Sequence, residues 1–327
     1  MEPQGEPTVS PPARTIDLAF FNERGLRACW RLVIFGGILF AIYRLALLAV
    51  RHLTAGGVST PVGPRPSDVP YLLPFGVGVS ELVVFLVVLL VSWLMSLIEH
   101  RKVREYGLPL RKSALPSLLT GYVLWGFLPL SLLLLFMRGL HVFYFGNLSL
   151  RGREILYWGL IWAFAFLMVG FLEEYLSRGY ALYTLADGIG FWPAAIVMAV
   201  LFAWGHMGNG GENRIGIVGV FLFAIFAATT LRRTGNLWLA VGAHAGWDWG
   251  QSFFYGVSDS GIQMSGHLLN PHVQGPEWLS GGSVGPEGSV LTLILWALMT
   301  VGFLIFYPPS RQPALVMTSS GTAPEIS

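Results

Sequence analysis

Glu173, Glu174, Arg178, His206, His244 and Asp248 are ionisable residues set in stretches of chain that are otherwise apolar. Ionisable groups among lipid or packed membrane helices are costly unless they face a cavity or a partner, so each is a candidate functional residue. Neighbouring positions on a helix diverge by about 100°, and Glu173 and Glu174 therefore cannot share one direction. Glu174 precedes Arg178 by four residues, acid first, which is the spacing of an ion pair along one helix face. That pairing neutralises Glu174 and leaves Glu173 as the carboxylate free to take a proton from water. The competing reading of this segment makes both acids members of a structural salt bridge.

His206 closes the next apolar stretch, after Phe202-Ala203-Trp204-Gly205. The short break Asp187-Gly188-Ile189-Gly190 separates it from the glutamate segment, and Glu173 lies about as far before that break as His206 lies after it. In an antiparallel helix pair, positions equidistant from a tight turn meet at similar depth. Glu173 and His206 are thus expected to face each other, provided that the first helix runs on past Arg178 to roughly Leu185. Further along, His244 and Asp248 stand four apart on one helical face, and Gln251 extends the polar stripe. Gly242, Gly246 and Gly250 repeat on another face, the small-residue pattern that lets membrane helices approach closely.

This set can supply what cleavage of a peptide bond requires. Glu173 with His206 would activate water, and His244 with Asp248 would contribute to the oxyanion site or orient its donors. The same four side chains, Glu173, His206, His244 and Asp248, also form an acceptable zinc ligand set. No His-Glu-x-x-His occurs, so the usual zinc-protease helix is absent.

Such residues need elements that hold them inside a bilayer, and the composition provides them. Apolar residues make up 54% of the chain and charged residues 12%, a balance that points to a membrane protein. Apolar stretches of roughly spanning length run from Cys29 to Val50, Phe75 to Ile98, Leu115 to Met137 and Ile155 to the region of Glu173. Others begin near Phe191, Ile215, Leu237 and Val290. The expected fold is all-α, a polytopic bundle of about eight transmembrane helices. Arg14, Arg24 and Arg27, the group from Arg101 to Lys112, and the pair Arg232 and Arg233 then fall on one side, which places both termini in the cytoplasm; Arg138, Arg151 and Arg153 vote against.

Residues 1–27 are polar and Pro-rich without the features of a signal peptide, and are read as a disordered tail. Residues 28–309 form the membrane domain and 310–327 a second tail. The single cysteine, Cys29, allows no intrachain disulfide. The Gly-, Ser- and Pro-rich stretch from Gly256 to Gly288 lacks the ending of a phosphate loop and reads as a re-entrant or lid-like loop. Arg31 and Arg44 are read as snorkelling toward the ends of the first span, and Glu81 as making a structural hydrogen bond. Trp204, Trp247 and Trp249 are candidates for lining a cavity that accommodates lipid.

Glu173-Glu174-x-x-x-Arg178, Phe202-x-x-x-His206 and His244-x-x-x-Asp248, in that order, resemble the motifs of the type II CAAX prenyl endopeptidases, also called the CAAX protease and bacteriocin-processing family. The resemblance covers roughly Ile155 to Tyr255. It implies a helical intramembrane endopeptidase of the glutamate type in which Glu173 and His206 handle the water, with Glu174 and Arg178 supporting the site. It implies no required cofactor, although some relatives are labelled metalloproteases, which leaves zinc open. In the family the last position of the third motif is asparagine or aspartate; here Asp248 can donate to an oxyanion only when protonated. The implied partners are the bilayer and a membrane-embedded or lipid-anchored peptide substrate, not nucleic acid, and the implied location is the plasma membrane of a bacterium. Two other classes compete: a transporter relaying protons through its buried acids and histidines, and an inactive scaffold of the same fold. The absence of an internal repeat weighs against the transporter.

Overall fold

The computed structural model describes residues 19–22, 25–55 and 72–308. The expected C-terminal tail, 310–327, lies outside the described residues, as do residues 1–18 and 23–24 of the expected N-terminal tail. The rest of that N-terminal stretch differs from a disordered tail. Phe21–Asn22 (β1) and Gly25–Leu26 (β2) pair antiparallel. Phe20 stacks on Trp30, whose indole N–H donates to Ala19 O at 3.1 Å and ties the turn to the first helix.

The apolar runs fold as helices because lipid offers the backbone no hydrogen-bond partner. In chain order they are α1 (Ala28–Ala55), α2 (Leu72–Ile98) and α3 (Ala114–Gly139), then α4 (Arg153–Arg178), α5 (Tyr180–Ile189) and α6 (Phe191–His206). After these come α7 (Arg214–Thr234), α8 (Trp238–Trp249), the short α9 (Glu277–Ser280) and α10 (Val290–Phe306). The fold is a helical membrane bundle. Among the described residues, five helices are long and apolar enough to cross a bilayer: α1, α2, α3, α4 continued by α5, and α7. The helices found at the spans expected near Phe191 and Val290 are shorter, with 16 and 17 residues. At 1.5 Å per residue they extend only about 24–26 Å, short of the roughly 30 Å hydrocarbon core. At Leu237 the expected span is α8 continued by a π-helical turn, Gly250–Tyr255.

Helix α8 is the centre of the bundle, buried at every residue from Leu239 to Asp248. Its glycines permit this, as their spacing predicts. A Cβ on Gly242 would lie 2.0 Å from Leu118 O, and one on Gly246 would lie 2.2 Å from Tyr122 O, both on α3. Two glycines of α3 answer them: a Cβ on Gly121 would meet Leu239 O and one on Gly126 would meet Ala243 O. Gly121–Phe127 is wound as a π-helix, whose i→i+5 repeat brings positions five apart onto one face. Thus α3 and α8 touch backbone to backbone.

Helix α4 packs between α2 and α8. It ends at Arg178, so the single helix expected to run past Arg178 is instead two, divided at Gly179. Gly190, at φ 84, then reverses the chain and lays α6 against α5. The cap of α7 is Asn213, whose side chain accepts from the N–H groups of Ile215 and Gly216.

Where the sequence suggested a snorkelling Arg31, the structure has a buried one. Its guanidinium pairs with Glu99 at 2.8 Å and with Asp187 at 3.1 Å, and Arg101 pairs with Asp187 at 3.1 Å. Tyr106 and Tyr180 donate to Glu99 as well. The cluster joins α1, α2 and α5, and the tertiary partners explain why Arg31 turns inward. Arg44 is exposed, beside Phe40.

The long loop after α8 is anchored rather than loose. Phe143–Leu148 (β3) pairs antiparallel with Leu269–Val273 (β4), from Phe143↔Val273 to Leu148↔Leu269, with an irregularity between Tyr144 and Asn147. This ladder and the β1–β2 turn are the departures from an all-α fold.

Candidate active site

The three helical segments converge on one cavity of about 710 Å³. Glu173, His206, His244 and Asp248 all line it. Glu173 Oε2 lies 3.9 Å from His206 Nε2 and 3.7 Å from His244 Nε2, too far for direct hydrogen bonds. That oxygen has no hydrogen-bond partner among the described residues. The Glu173 side chain is 31% exposed, whereas that of Glu174 is 0% exposed. The adjacent glutamates thus occupy different surroundings, as their 100° divergence predicts.

Glu174 is held from both sides. Arg178 Nη1 approaches its Oε2 at 2.8 Å, the expected ion pair along the helix. His244 Nδ1 lies 3.0 Å from its Oε1, a contact that the sequence does not suggest. A carboxylate accepts, so Nδ1 carries hydrogen and Nε2 of His244 points to Glu173 and to Asp248 Oδ2, the latter at 3.4 Å. Arg178 lies 4.9 Å from the Phe202 ring centroid, and its Nη1 also donates to Ser177 Oγ at 3.0 Å.

His206 is oriented by its own helix. Its Nδ1 is 2.9 Å from Phe202 O; since a carbonyl only accepts, Nδ1 is the donor and Nε2 faces Glu173. Gln251, placed on the polar stripe, points elsewhere: its Nε2 donates to Asp259 Oδ1 at 3.2 Å. Of the three tryptophans suggested for the cavity, Trp247 lines it. Trp204 is exposed, and Trp249 donates to Gly159 O.

The long loop contributes groups that local spacing gives no sign of. Asp259, Ser260 and Glu287 line the cavity beside Asp248. Glu287 accepts from Trp247 Nε1 and from the backbone and side chain of Ser260, each at 2.9 Å, which fastens the loop over α8. Ser252 and Gln251 donate to Asp259. Burial, reinforced by the nearby charge of Glu287, pushes the Asp259 carboxyl well above the usual aspartate range. The acids of this segment belong to the cavity wall rather than to any phosphate loop. Glu81 lines the cavity too and makes no hydrogen bond among the described residues, which overturns the structural reading of it.

A zinc site would need its donors to converge on one point about 2 Å from each. Among the described residues no group of three or more His, Cys, Asp or Glu side chains is arranged to hold a metal ion.

Residues 154–250 match the family model described as Type II CAAX prenyl endopeptidase Rce1-like. The match covers the same stretch as the motif resemblance and supports it, and with it a peptidase assignment for this domain. No curated protein and no solved structure matches the chain.

Proposed function

We propose that the protein is an intramembrane endopeptidase of the glutamate type that hydrolyses peptide bonds of membrane-associated proteins or peptides, prenylated CAAX-type tails among them. The observation that carries this reading is Glu173 Oε2, without a hydrogen-bond partner among the described residues and with the Nε2 atoms of two histidines 3.9 and 3.7 Å away.

In this mechanism a water donates one hydrogen toward Glu173 and the other toward His206 Nε2, both of them acceptors. As the water oxygen adds to the carbonyl carbon, Glu173 takes its proton. As the C–N bond breaks, Glu173 returns that proton to the departing nitrogen. His244 Nε2 and Asp248 Oδ2, 3.4 Å apart, share one proton, because two lone pairs facing each other at that distance would repel. That shared N–H or O–H donates to the carbonyl oxygen as negative charge builds on it. This gives Asp248 a place in the oxyanion site without requiring it to act as an amide would. Glu174 and Arg178 hold the His244 ring in register and do not touch substrate. No step passes through a metal.

The test is cleavage of a fluorogenic prenylated tetrapeptide tail and of a membrane-peptide library by purified protein in lipid nanodiscs. Wild type is compared with Glu173→Gln and His206→Ala, each with and without chelator. Loss of about 10²-fold or more in either variant is expected, the usual scale for a general base. Activity is expected to persist in chelator. Unchanged cleavage in both variants would refute the site, and chelator-sensitive cleavage restored by added zinc would refute the metal-free mechanism.

A further inference from the structure

Glu81 takes no part in the chemistry proposed above, yet its carboxyl faces the same cavity. It lies within α2, a helix with no other ionisable residue. An acid at such a position is costly to keep charged without a partner. Glu81 forms no hydrogen bond and no ion pair with any described residue. Val77, one turn earlier on α2, and Phe166 and Val169 on α4 line the same cavity.

Among the described residues no cation pairs with this carboxylate. On α1, Arg31 is committed to Glu99 and Asp187. On α4, Arg178 is committed to Glu174, and the charge that reaches Glu81 through space is another carboxylate, Glu173. Elsewhere the wall of the cavity adds Asp248, Asp259 and Glu287. Its histidines, His206 and His244, are both turned toward Glu173. A positively charged group brought by a ligand is the complement that the described residues do not provide.

Ring contacts between α2 and α4 fix how far Glu81 is offset from Glu173 along the helix axes. Phe75 meets Phe164 at 6.0 Å, and Phe85 meets Phe171 at 5.5 Å and Tyr175 at 5.8 Å, so the two helices run side by side in the same direction. Interpolation sets Glu81 level with about residue 169, one turn before Glu173, an axial offset of roughly 6 Å at 1.5 Å per residue. An extended peptide covers that distance in about two residues.

We infer that Glu81 is a specificity residue that binds a lysine or arginine side chain of the substrate about two residues from the cleaved bond. The inference rests on the reading of Glu173 as the base at that bond. A charge-assisted contact of this kind corresponds to about a 10- to 100-fold preference.

The experiment uses matched membrane-associated peptides carrying lysine, norleucine or glutamate at each of the positions flanking the scissile bond. Binding is measured to the Glu173→Gln protein in neutral-lipid nanodiscs, and cleavage is measured with wild type, Glu81→Gln and Glu81→Lys. The expected result is a lysine-over-norleucine preference of about 10- to 100-fold at a position about two residues from the bond. That preference should appear in KM, collapse in Glu81→Gln and invert toward glutamate in Glu81→Lys. Equal binding of lysine and norleucine peptides overturns the inference without any variant of Glu81 having to fold. So does a Glu81→Gln effect that falls equally on all peptides through kcat. Cleavage that survives Glu173→Gln would instead overturn the catalytic reading, a separate outcome.

Discussion

Replacing Arg178 by methionine removes the cation from a pair that water does not reach. The side chains of Arg178 and Glu174 are 3% and 0% exposed, and their charged atoms are 2.8 Å apart. Breaking such a pair from one side typically costs about 3–5 kcal/mol, because the remaining charge stays buried. Two features of the site set where in that range the value falls. Glu174 keeps the hydrogen bond from His244 Nδ1 at 3.0 Å, which moves the cost toward about 3 kcal/mol. Loss of the guanidinium over the Phe202 ring returns about 0.5–2 kcal/mol of it. Methionine retains most of the stem packing, so little of the effect should come from a void. The expected cost is therefore about 4 kcal/mol, a large share of the 5–15 kcal/mol that a domain ordinarily holds. Glu174→Gln in the same chain removes the stranded charge and should recover most of the stability, to within about 2 kcal/mol of wild type. Activity should not return with it, since His244 then lacks the carboxylate that orients its ring. The assay is equilibrium unfolding in mixed micelles near neutral pH, run beside peptide cleavage. A single-variant cost below about 1 kcal/mol, or a double variant no more stable than Arg178→Met, would show that the pair is not a buried, mutually dependent unit.

Gly246→Ala should destabilise by about 1–3 kcal/mol, because its Cβ would lie 2.2 Å from Tyr122 O and the two backbones would have to part. Gly302→Ala, with nothing within 4 Å, should be neutral or stabilise by up to about 1 kcal/mol; similar losses at both sites would discount the close contact. Asp259 has its pKa raised by burial and by Glu287, so the unfolded chain releases the proton first as pH rises, and stability falls from the unfolded value upward. Wild type should consequently gain thermal stability relative to Asp259→Asn as pH is lowered from 7 toward 4, and a difference independent of pH would count against this.

Much of the chemistry was legible because it depends on spacing within one helix. A spacing of four positions from Glu174 to Arg178, and from His244 to Asp248, places each pair on one face whatever surrounds the helix. The break at Asp187–Gly190 aligned Glu173 with His206, although the helix expected to be continuous divides at Gly179. The Gly242, Gly246 and Gly250 repeat announced a close approach, but its partners Gly121 and Gly126 lie five apart and share a face only through the π winding of α3.

What remained hidden depends on residues far apart in the chain. Arg31 is buried because Glu99 arrives from the turn after α2 and Asp187 from α5, and without those partners its sequence context reads as a side chain reaching for the interface. Asp259 and Glu287 join the cavity through a loop fastened by Trp247, Ser260 and the β3–β4 ladder, none of which follows a local period. Glu81 has the same apolar neighbours in sequence whether it faces lipid, a partner or the cavity. Local sequence determined which helices form and which side chains share a face, since backbone geometry fixes both within a turn or two. Which faces meet, and so which carboxylate has a partner and which is left open to a ligand, was decided only when the tertiary packing brought α2, α4, α6 and α8 around one cavity.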